Sequence, residues 1–391
     1  MNIQSVFDQS ELALAAYAAL NNSALSSQKS NLKNAGLSDA QADIFAGKYA
    51  VVTQYNDTLA EGGQGTSFSA TVFKDASGNL TLAIRGTLEA GDFLPTDANI
   101  TASGAGYDQI VAMYNWWQRV GNPAGTTVSQ FRLVPAPTDL AKAVDLGGLW
   151  LEPSTSVLAT GTLGGAIASD TNHKLDITGH SLGGHLAMVF STLFAGVTTQ
   201  ATVFNAPGFQ STAANQSFFS ALGGTVPTGG PIINVIADEA NIGAVPWSAI
   251  AGLHSRPGAN VNIAIEKQWK SDESASPDAL NHSQQTLTDA LAVYAMLGKL
   301  DPSLATTSFK TILNSVVNGT AGSLESLVDI VEKLLDIDNN SMPIGNANRD
   351  LLYQALNRMQ NGSGTAAFEA LVGQVKIESL SSNKSPRGQR H

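Results

Sequence analysis

Residues 175–190 read LDITGHSLGGHLAMVF and set Gly179, Ser181 and Gly183 in a G-x-S-x-G pattern between a strand-like and a helix-like run. A serine hydroxyl attacks poorly until a neighbouring base takes its proton. A tight strand-to-helix turn thrusts that hydroxyl out from a sheet edge, and flanking glycines relieve the crowding there. The helix that follows aims its positive N-terminus, beginning with the Leu182 amide, at a developing oxyanion. The chain holds 37 glycines, so the pattern alone is weak evidence. Its single occurrence, directly between a strand signal and a helix signal, makes it informative. The chemistry implied is attack on a carbonyl carbon through a covalent acyl intermediate.

Such a nucleophile needs a base and an acid to orient that base, and in this setting the chain order is Ser, then Asp or Glu, then His. The segment PIINVIADEANIGAVPW, residues 231–247, is an apolar strand that ends in Asp238 and Glu239. Asp238 is the first candidate for the acid and Glu239 the second, although a strand-end carboxylate is as often a solvated turn residue. Of six histidines, His173, His180 and His185 precede the acid and His391 lies in the tail, which leaves His254 and His282. His282, in NHSQQTL, precedes a helix that begins near Ser283, a loop position from which an imidazole can reach over a sheet edge. His254, in GLHSRPG, lines the site or sits in solvent. His180 is a further candidate for lining the site, and packing is the ordinary explanation for both His180 and His185.

The elements that must position these groups follow from periodicity. Leu12, Ala15, Ala16 and Leu20 repeat at helical spacing within residues 1–48. Phe68, Ala70 and Val72 alternate, Ser77-Gly78-Asn79 turns, and Leu80, Leu82 and Ile84 alternate again, which reads as a hairpin. A helix is expected over Tyr107–Val120. Short apolar runs at Leu175–Thr178, Ala201–Phe204 and Ile232–Ala237 fit buried parallel strands. From Leu287 a helix is expected to stop at Gly298. Beyond it, amphipathic stripes at Leu324–Leu335 and Leu352–Met359 read as packing faces.

Composition excludes several classes. With no cysteine there are no disulfides, thiolate metal sites or cysteine nucleophiles. With 21 Lys plus Arg against 32 Asp plus Glu, the net charge of -11 repels phosphate backbones, so no nucleic-acid partner is expected. No apolar run is long enough for a spanning helix. Asp8 and Glu11 precede the apolar stretch Leu12–Leu20, and no basic residue comes before Lys29, so it is no Sec signal.

The motif GHSLGGHLA at Gly179–Ala187 resembles the nucleophile elbow of class-three lipases and related bacterial lipases. LAIRGT at Leu82–Thr87, followed by Asp92 and Asp97, resembles the oxyanion strand of that superfamily. The resemblance gives Thr87 the second oxyanion role, beside the Leu182 amide, and leaves Arg85 structural. VFNAPG at Val203–Gly208 and the strand before Asp238 resemble the family's acid region, which favours Asp238. The segment from Asn281 to Leu300 resembles the histidine block of bacterial members, which favours His282. The likeness spans roughly residues 65–300 and extends more loosely to the catalytic regions of Gram-negative secreted lipases. The calcium-binding glycine repeats that some of those carry are absent, so the chain is expected to be either short by nature or part of a longer parent.

These readings imply an α/β fold, an α/β-hydrolase core with a mainly parallel sheet. The expected divisions are an N-terminal helical cap (1–48), a catalytic domain (49–300), a C-terminal helical extension (301–380) and a disordered tail (381–391). The expected activity is carboxylic ester hydrolysis by Ser181, Asp238 and His282, of triacylglycerol lipase or esterase type. The same residues would serve a phospholipase, a polyester hydrolase or an acyltransferase, and a silent hydrolase-fold binding module would keep the scaffold without the triad. No cofactor is required; calcium stays open, with no sequence pattern for it. The partner is a lipid or ester substrate, met at a lipid–water interface or in solution, and the oligomeric state is not readable. Secretion without a Sec signal is expected from the resemblance, with a cytoplasmic location as the alternative. Lid candidates are Leu146–Leu151 with Trp150, Phe218-Phe219, and Leu88–Ala105, the first two equally well explained as core.

Overall fold

The computed structural model describes residues 2–59, 64–86, 104–170, 173–237, 254–265, 282–301, 311–312, 323–337, 348–361 and 364–382. Thr87, Asp238, Glu239, most of the 88–105 lid candidate and the tail beyond Ser382 lie outside these residues.

The alternating and apolar runs supply five strands of a seven-stranded sheet, and two that the sequence reading did not name, Tyr49–Asn56 and Ala259–Ile263, form its edges. In spatial order these are β1 (Tyr49–Asn56), β2 (Ser69–Asp75), β3 (Leu80–Ile84), β7 (Leu175–His180), β8 (Thr198–Phe204), β9 (Ile232–Ala237) and β10 (Ala259–Ile263). β1, β2 and β3 pair antiparallel as a meander. From β3 through β7, β8 and β9 to β10 every pairing is parallel. The connections that parallel pairing demands are supplied largely by helices, so both sheet faces are covered. This is the mainly parallel α/β-hydrolase architecture expected from the sequence.

Side-chain alternation sorts the strands into two cores. Leu80, Leu82 and Ile84 of β3, Leu175 and Ile177 of β7, and Ala201 and Val203 of β8 face one helical layer. That layer is built from α4 (Tyr107–Gly121), the short α5 (Gly164–Ser169), α6 (Leu182–Leu193) and α7 (Ala213–Ala221). On the other face, α1 (Ile3–Ala15) packs on the sheet and against α8 (Gln284–Leu300). Helices α2 (Lys29–Asn34) and α3 (Asp39–Lys48) close that face over β1 and β2 through Leu32, Phe45, Val51 and Phe73.

The C-terminal helices α9 (Leu324–Leu334), α10 (Arg349–Asn361) and α11 (Thr365–Ser382) extend the second core. Arg349 grips Asp289 of α8 with two bonds, 2.5 Å from Nε and 2.8 Å from Nη2, and Tyr353 donates to the same carboxylate at 2.9 Å. Arg349 also donates to the Gly36 carbonyl at 2.9 Å. A buried, doubly bonded pair of this kind locks elements distant in sequence, because removing either partner strands a charge in the core.

Three features depart from the sequence reading. Helix α8 passes through Gly298 to Leu300 and ends at Asp301, whose extended backbone (φ -138, ψ 94) is what a residue before proline prefers. A mid-helix glycine costs only about 1 kcal/mol, so the proline, and not the glycine, stops the helix. A second, antiparallel sheet of β4 (Thr127–Val134), β6 (Trp150–Leu158) and β5 (Val144–Asp145) has no counterpart in the expectations. Its inward positions include Gln130, buried beside Asn115, which hides the apolar alternation. Finally, Leu146, Leu151, Phe218 and Phe219 are buried in the first core, so as lid candidates they are accounted for by packing.

Candidate active site

Ser181 sits where β7 ends and α6 begins, with φ 56 and ψ -127. A non-glycine residue held there costs of the order of 1–3 kcal/mol, which the surrounding packing must supply. The packing is close because side chains are missing. A Cβ at Gly179 would fall on the backbone of Gly183, and one at Gly183 would fall on the Ile84 carbonyl oxygen. The glycines of the motif therefore bring the first turn of α6 against β7 and β3. The Ser181 amide is tied to Phe204 of β8 (2.9 Å), and the Ser181 carbonyl accepts from His185 (3.1 Å). The side chain of Ser181 makes no capping bond. The amides of Leu182, Gly183 and Gly184 open the helix and have no acceptor one turn back, the arrangement that receives an anion.

His282 reaches the same edge, just before Ser283, whose hydroxyl caps α8 by accepting from the Thr286 amide (3.3 Å). Its ring lies 4.7 Å from that of His180, the residue before Ser181. Burial pulls its pKa down to about 4, so the imidazole is neutral and able to take a proton. Among the described residues its Nδ1 is buried without a hydrogen-bond partner.

His180 is 7% exposed and fully engaged: its Nε2 lies 2.7 Å from the His282 carbonyl oxygen and its Nδ1 2.9 Å from the Tyr17 hydroxyl. A carbonyl only accepts, so Nε2 carries the hydrogen and Nδ1 receives the tyrosine's. Burial, reinforced by the neighbouring His282, holds the His180 pKa well below its ordinary value. Tyr17 follows α1 and comes 163 residues before its partner, a contact no sequence spacing discloses. Its hydroxyl would meet a Cβ on Gly86 at 2.5 Å, and that same point lies 3.4 Å from the Ser181 Cβ. Gly86, just past the end of β3, Ser181 and Tyr17 therefore converge.

Asn205, fully buried with φ 46, completes the edge. Its Oδ1 accepts from the Ala237 amide at 3.0 Å, and its Nδ2 lies 3.5 Å from the His282 carbonyl. The sequence places Asp238 directly after Ala237. His254 is held elsewhere, accepting on Nδ1 from Gln210 at 2.9 Å. His185 lies behind the elbow, stacked on Phe209 (4.1 Å) with Nδ1 3.3 Å from the Pro207 carbonyl, and burial lowers its pKa to about 4. Arg85 donates to the Ser67 carbonyl at 3.0 Å, pinning the start of β2 beside the end of β3.

Ser181, His180, His282 and the Leu182 amide are thus gathered at one sheet edge, and the sequence readings for Thr87 and Asp238 fall outside the described residues. Tyr17 and Asn205 were not singled out by sequence reasoning. Asn205 lies within the quoted VFNAPG segment, where an asparagine ending an apolar strand was the available signal. No family model matches the chain, and no curated protein matches it. Among solved structures, the LIP2 lipase of Yarrowia lipolytica is 14% identical over 66% of this chain and 79% of its own, with a TM-score of 0.36. Lipase II from Rhizopus niveus is 15% identical over 68% and 81%, with a TM-score of 0.32. The Rhizomucor miehei lipase propeptide complex is 11% identical over 67% of this chain and 68% of its own, with a TM-score of 0.28. Likeness at this level assigns no role to any residue here.

A cavity of about 310 Å³ opens at the opposite end of the strands, beside Leu80, Asp176 and Thr199. It does not adjoin Ser181. Among the described residues no set of His, Asp or Glu has the arrangement of a metal site, and no helix is long and apolar enough to cross a membrane.

Proposed function

We propose that the chain is a serine-dependent carboxylic ester hydrolase of lipase type, with Ser181 as nucleophile, His282 as base and Asp238 as the acid that orients it. One observation carries this reading: a serine held at φ 56 on the sheet edge shares that edge with a half-buried, neutral histidine whose Nδ1 is buried and lacks a partner among the described residues. A buried nitrogen left unpaired costs about 1–3 kcal/mol, so the Nδ1–H calls for an acceptor. Asp238 follows Ala237, whose amide is fixed by the asparagine that also reaches the His282 carbonyl. A carboxylate there selects the tautomer with Nε2 free for the serine proton and raises the proton affinity that burial has lowered.

In this scheme His282 Nε2 takes the Ser181 proton as Oγ bonds to the ester carbonyl carbon. The carbonyl oxygen becomes an oxyanion facing the Leu182 amide and, by the family resemblance, Thr87. Collapse breaks the ester bond, the alcohol leaves with the proton from His282, and the acyl group stays on Ser181. Water, deprotonated by the same imidazole, then releases the acid and restores the serine. No step needs a cofactor.

Hydrolysis of p-nitrophenyl esters from acetyl to palmitoyl tests the reading, with Ser181→Ala, Asp238→Asn, His282→Ala and His254→Ala alongside wild type. Activity lost in the first three and kept in His254→Ala is the expected pattern. Ser181→Ala with full activity sinks it, and a wild type that cleaves no ester turns the case toward a binding module. Emulsified triacylglycerols, phospholipid vesicles and polyesters then separate the substrate classes, which depend on pocket shape and not on the triad.

A further inference from the structure

The His282 main-chain carbonyl is approached by two buried side chains from two different strands. His180, at the end of β7, donates to it at 2.7 Å, and Asn205, just past the end of β8, lies 3.5 Å from it. Each of these residues is itself fixed. The imidazole of His180 can donate through Nε2 only while its Nδ1 is bare, and the Tyr17 hydroxyl at 2.9 Å favours that tautomer by donating to Nδ1. The opposite tautomer would set a lone pair against the carbonyl oxygen. Asn205 is anchored at its amide by Val235 (2.9 Å) and at Oδ1 by Ala237 (3.0 Å), both on β9.

We infer that His180 and Asn205 are positioning residues for His282, gripping its carbonyl from two strands, and that Tyr17 sets the tautomer with which His180 does so. This rests on His282 being the base. A base that must meet a serine hydroxyl within hydrogen-bond reach, on the last residues before a helix, gains nothing from the rigidity of the sheet unless something ties its backbone there. These bonds make that tie, and they explain why a histidine and not an apolar residue stands before the nucleophile. They also make the segment after α1 part of the active site. The Asn205 side chain adds a link to the strand that leads into Asp238, so one residue sets the spacing between acid and base.

The test compares steady-state hydrolysis of p-nitrophenyl butyrate by wild type, His180→Leu, His180→Gln and Tyr17→Phe, with Ser181→Ala and His282→Ala as references and melting curves for each. A misplaced base should lower kcat by roughly 10- to 100-fold in His180→Leu and leave KM within about twofold. Gln carries an amide donor near the position of Nε2, so His180→Gln should recover most of the lost kcat, a rescue that a filler role would not produce. Tyr17→Phe, which keeps the ring, should lose kcat several-fold by releasing the tautomer. Ser181→Ala and His282→Ala inactive, with His180→Leu and Tyr17→Phe both at wild-type kcat, overturns the inference and leaves the hydrolase reading standing. Should His180→Leu fail to fold, wild-type kcat in Tyr17→Phe overturns the inference alone. Full activity in Ser181→Ala removes the hydrolase reading, and this inference with it.

Discussion

The two ends of β7 carry opposite electrostatics on one short strand. At the C-terminal end His180 and the nearby His185 are buried and His282 half-buried, and desolvation drives each toward its neutral form. Around them lie helix-terminal amides and neutral hydrogen bonds. At the N-terminal end Asp176 shares a cavity with Asp8, Asp75 and Asp170. There burial, with the charges of Asp170 and Asp75, pushes Asp176 up to about 6. The other carboxylates are partly consumed by local caps: Asp170 accepts from the Leu80 amide at 3.0 Å, and Asp75 from the Ser77 and Asn79 amides at 2.8 and 2.9 Å. The difference teaches that a titratable group of shifted pKa is not by itself a site. The acidic end spends its charges on backbone amides, and the neutral end gathers a serine hydroxyl, an imidazole nitrogen without a partner among the described residues, and helix amides.

Exchanging a side chain at each end should break the comparison most sharply in activity. Ser181→Ala should abolish ester hydrolysis, a fall of roughly 10⁴-fold or more, and Asp176→Asn should leave kcat within about twofold. Equal losses in both variants would mean that the elbow is not where the chemistry is. Next in size, Gly183→Ala should cost about 3 kcal/mol or more in denaturant unfolding, because the new methyl falls on the Ile84 carbonyl. Wild-type stability in that variant would show that the elbow is looser than its close contacts imply.

Acid should then separate the two ends by sign. A histidine whose folded pKa lies below the unfolded 6.5 binds protons more readily when unfolded, so stability is full above about pH 6.5 and falls as pH drops toward the folded value. For His185, at about 4, the loss approaches roughly 3 kcal/mol by the bottom of that window. Asp176 runs the other way: raised from 3.8 to about 6, it destabilises the fold above pH 6 and is relieved as pH falls toward 3.8. Asp176→Asn should therefore lose stability more steeply than wild type between pH 6 and pH 4.5, and a parallel or shallower curve would contradict the assignment. The smallest effect is the gain at pH 7. Asp176→Asn should be more stable there by about 1 kcal/mol, discounted because the carboxyl is partly exposed, and no gain in a thermal melt would show that solvent already screens it.

Much of this edge was legible beforehand where local pattern carries it. The alternation of β2 and β3, the apolar runs of β7, β8 and β9, and the serine between glycines all report on short stretches of chain. The second sheet was hidden because Gln130 and Asn115 are satisfied inside by main-chain groups, Gln130 donating to the Asn115 carbonyl and the Asn115 amide bonding both backbone groups of Phe131, so polar letters occupy inward positions. β10 was hidden because ANVNI alternates asparagine with valine and isoleucine on a short edge strand, where little burial is demanded. Tyr17 and Asn205 were invisible as site residues for a different reason. Each is an ordinary residue until a partner far away in the chain meets it.

What the sequence by itself determined is the serine between glycines, its place between a strand and a helix, the parallel core and a short list of candidate bases. These rest on periodicities and on glycines whose missing side chains allow one backbone to touch another. Only the tertiary structure decided that His180 is bonded to the His282 carbonyl, that the chain after α1 supplies the tyrosine that sets its tautomer, and that Asn205 spans the strand leading to Asp238 and the carbonyl of His282. Hydrogen bonds of 2.7–3.5 Å between elements 77 to 163 residues apart depend on how sheet and helices stack, and that stacking is written in the sum of the packing, not in any one stretch of residues.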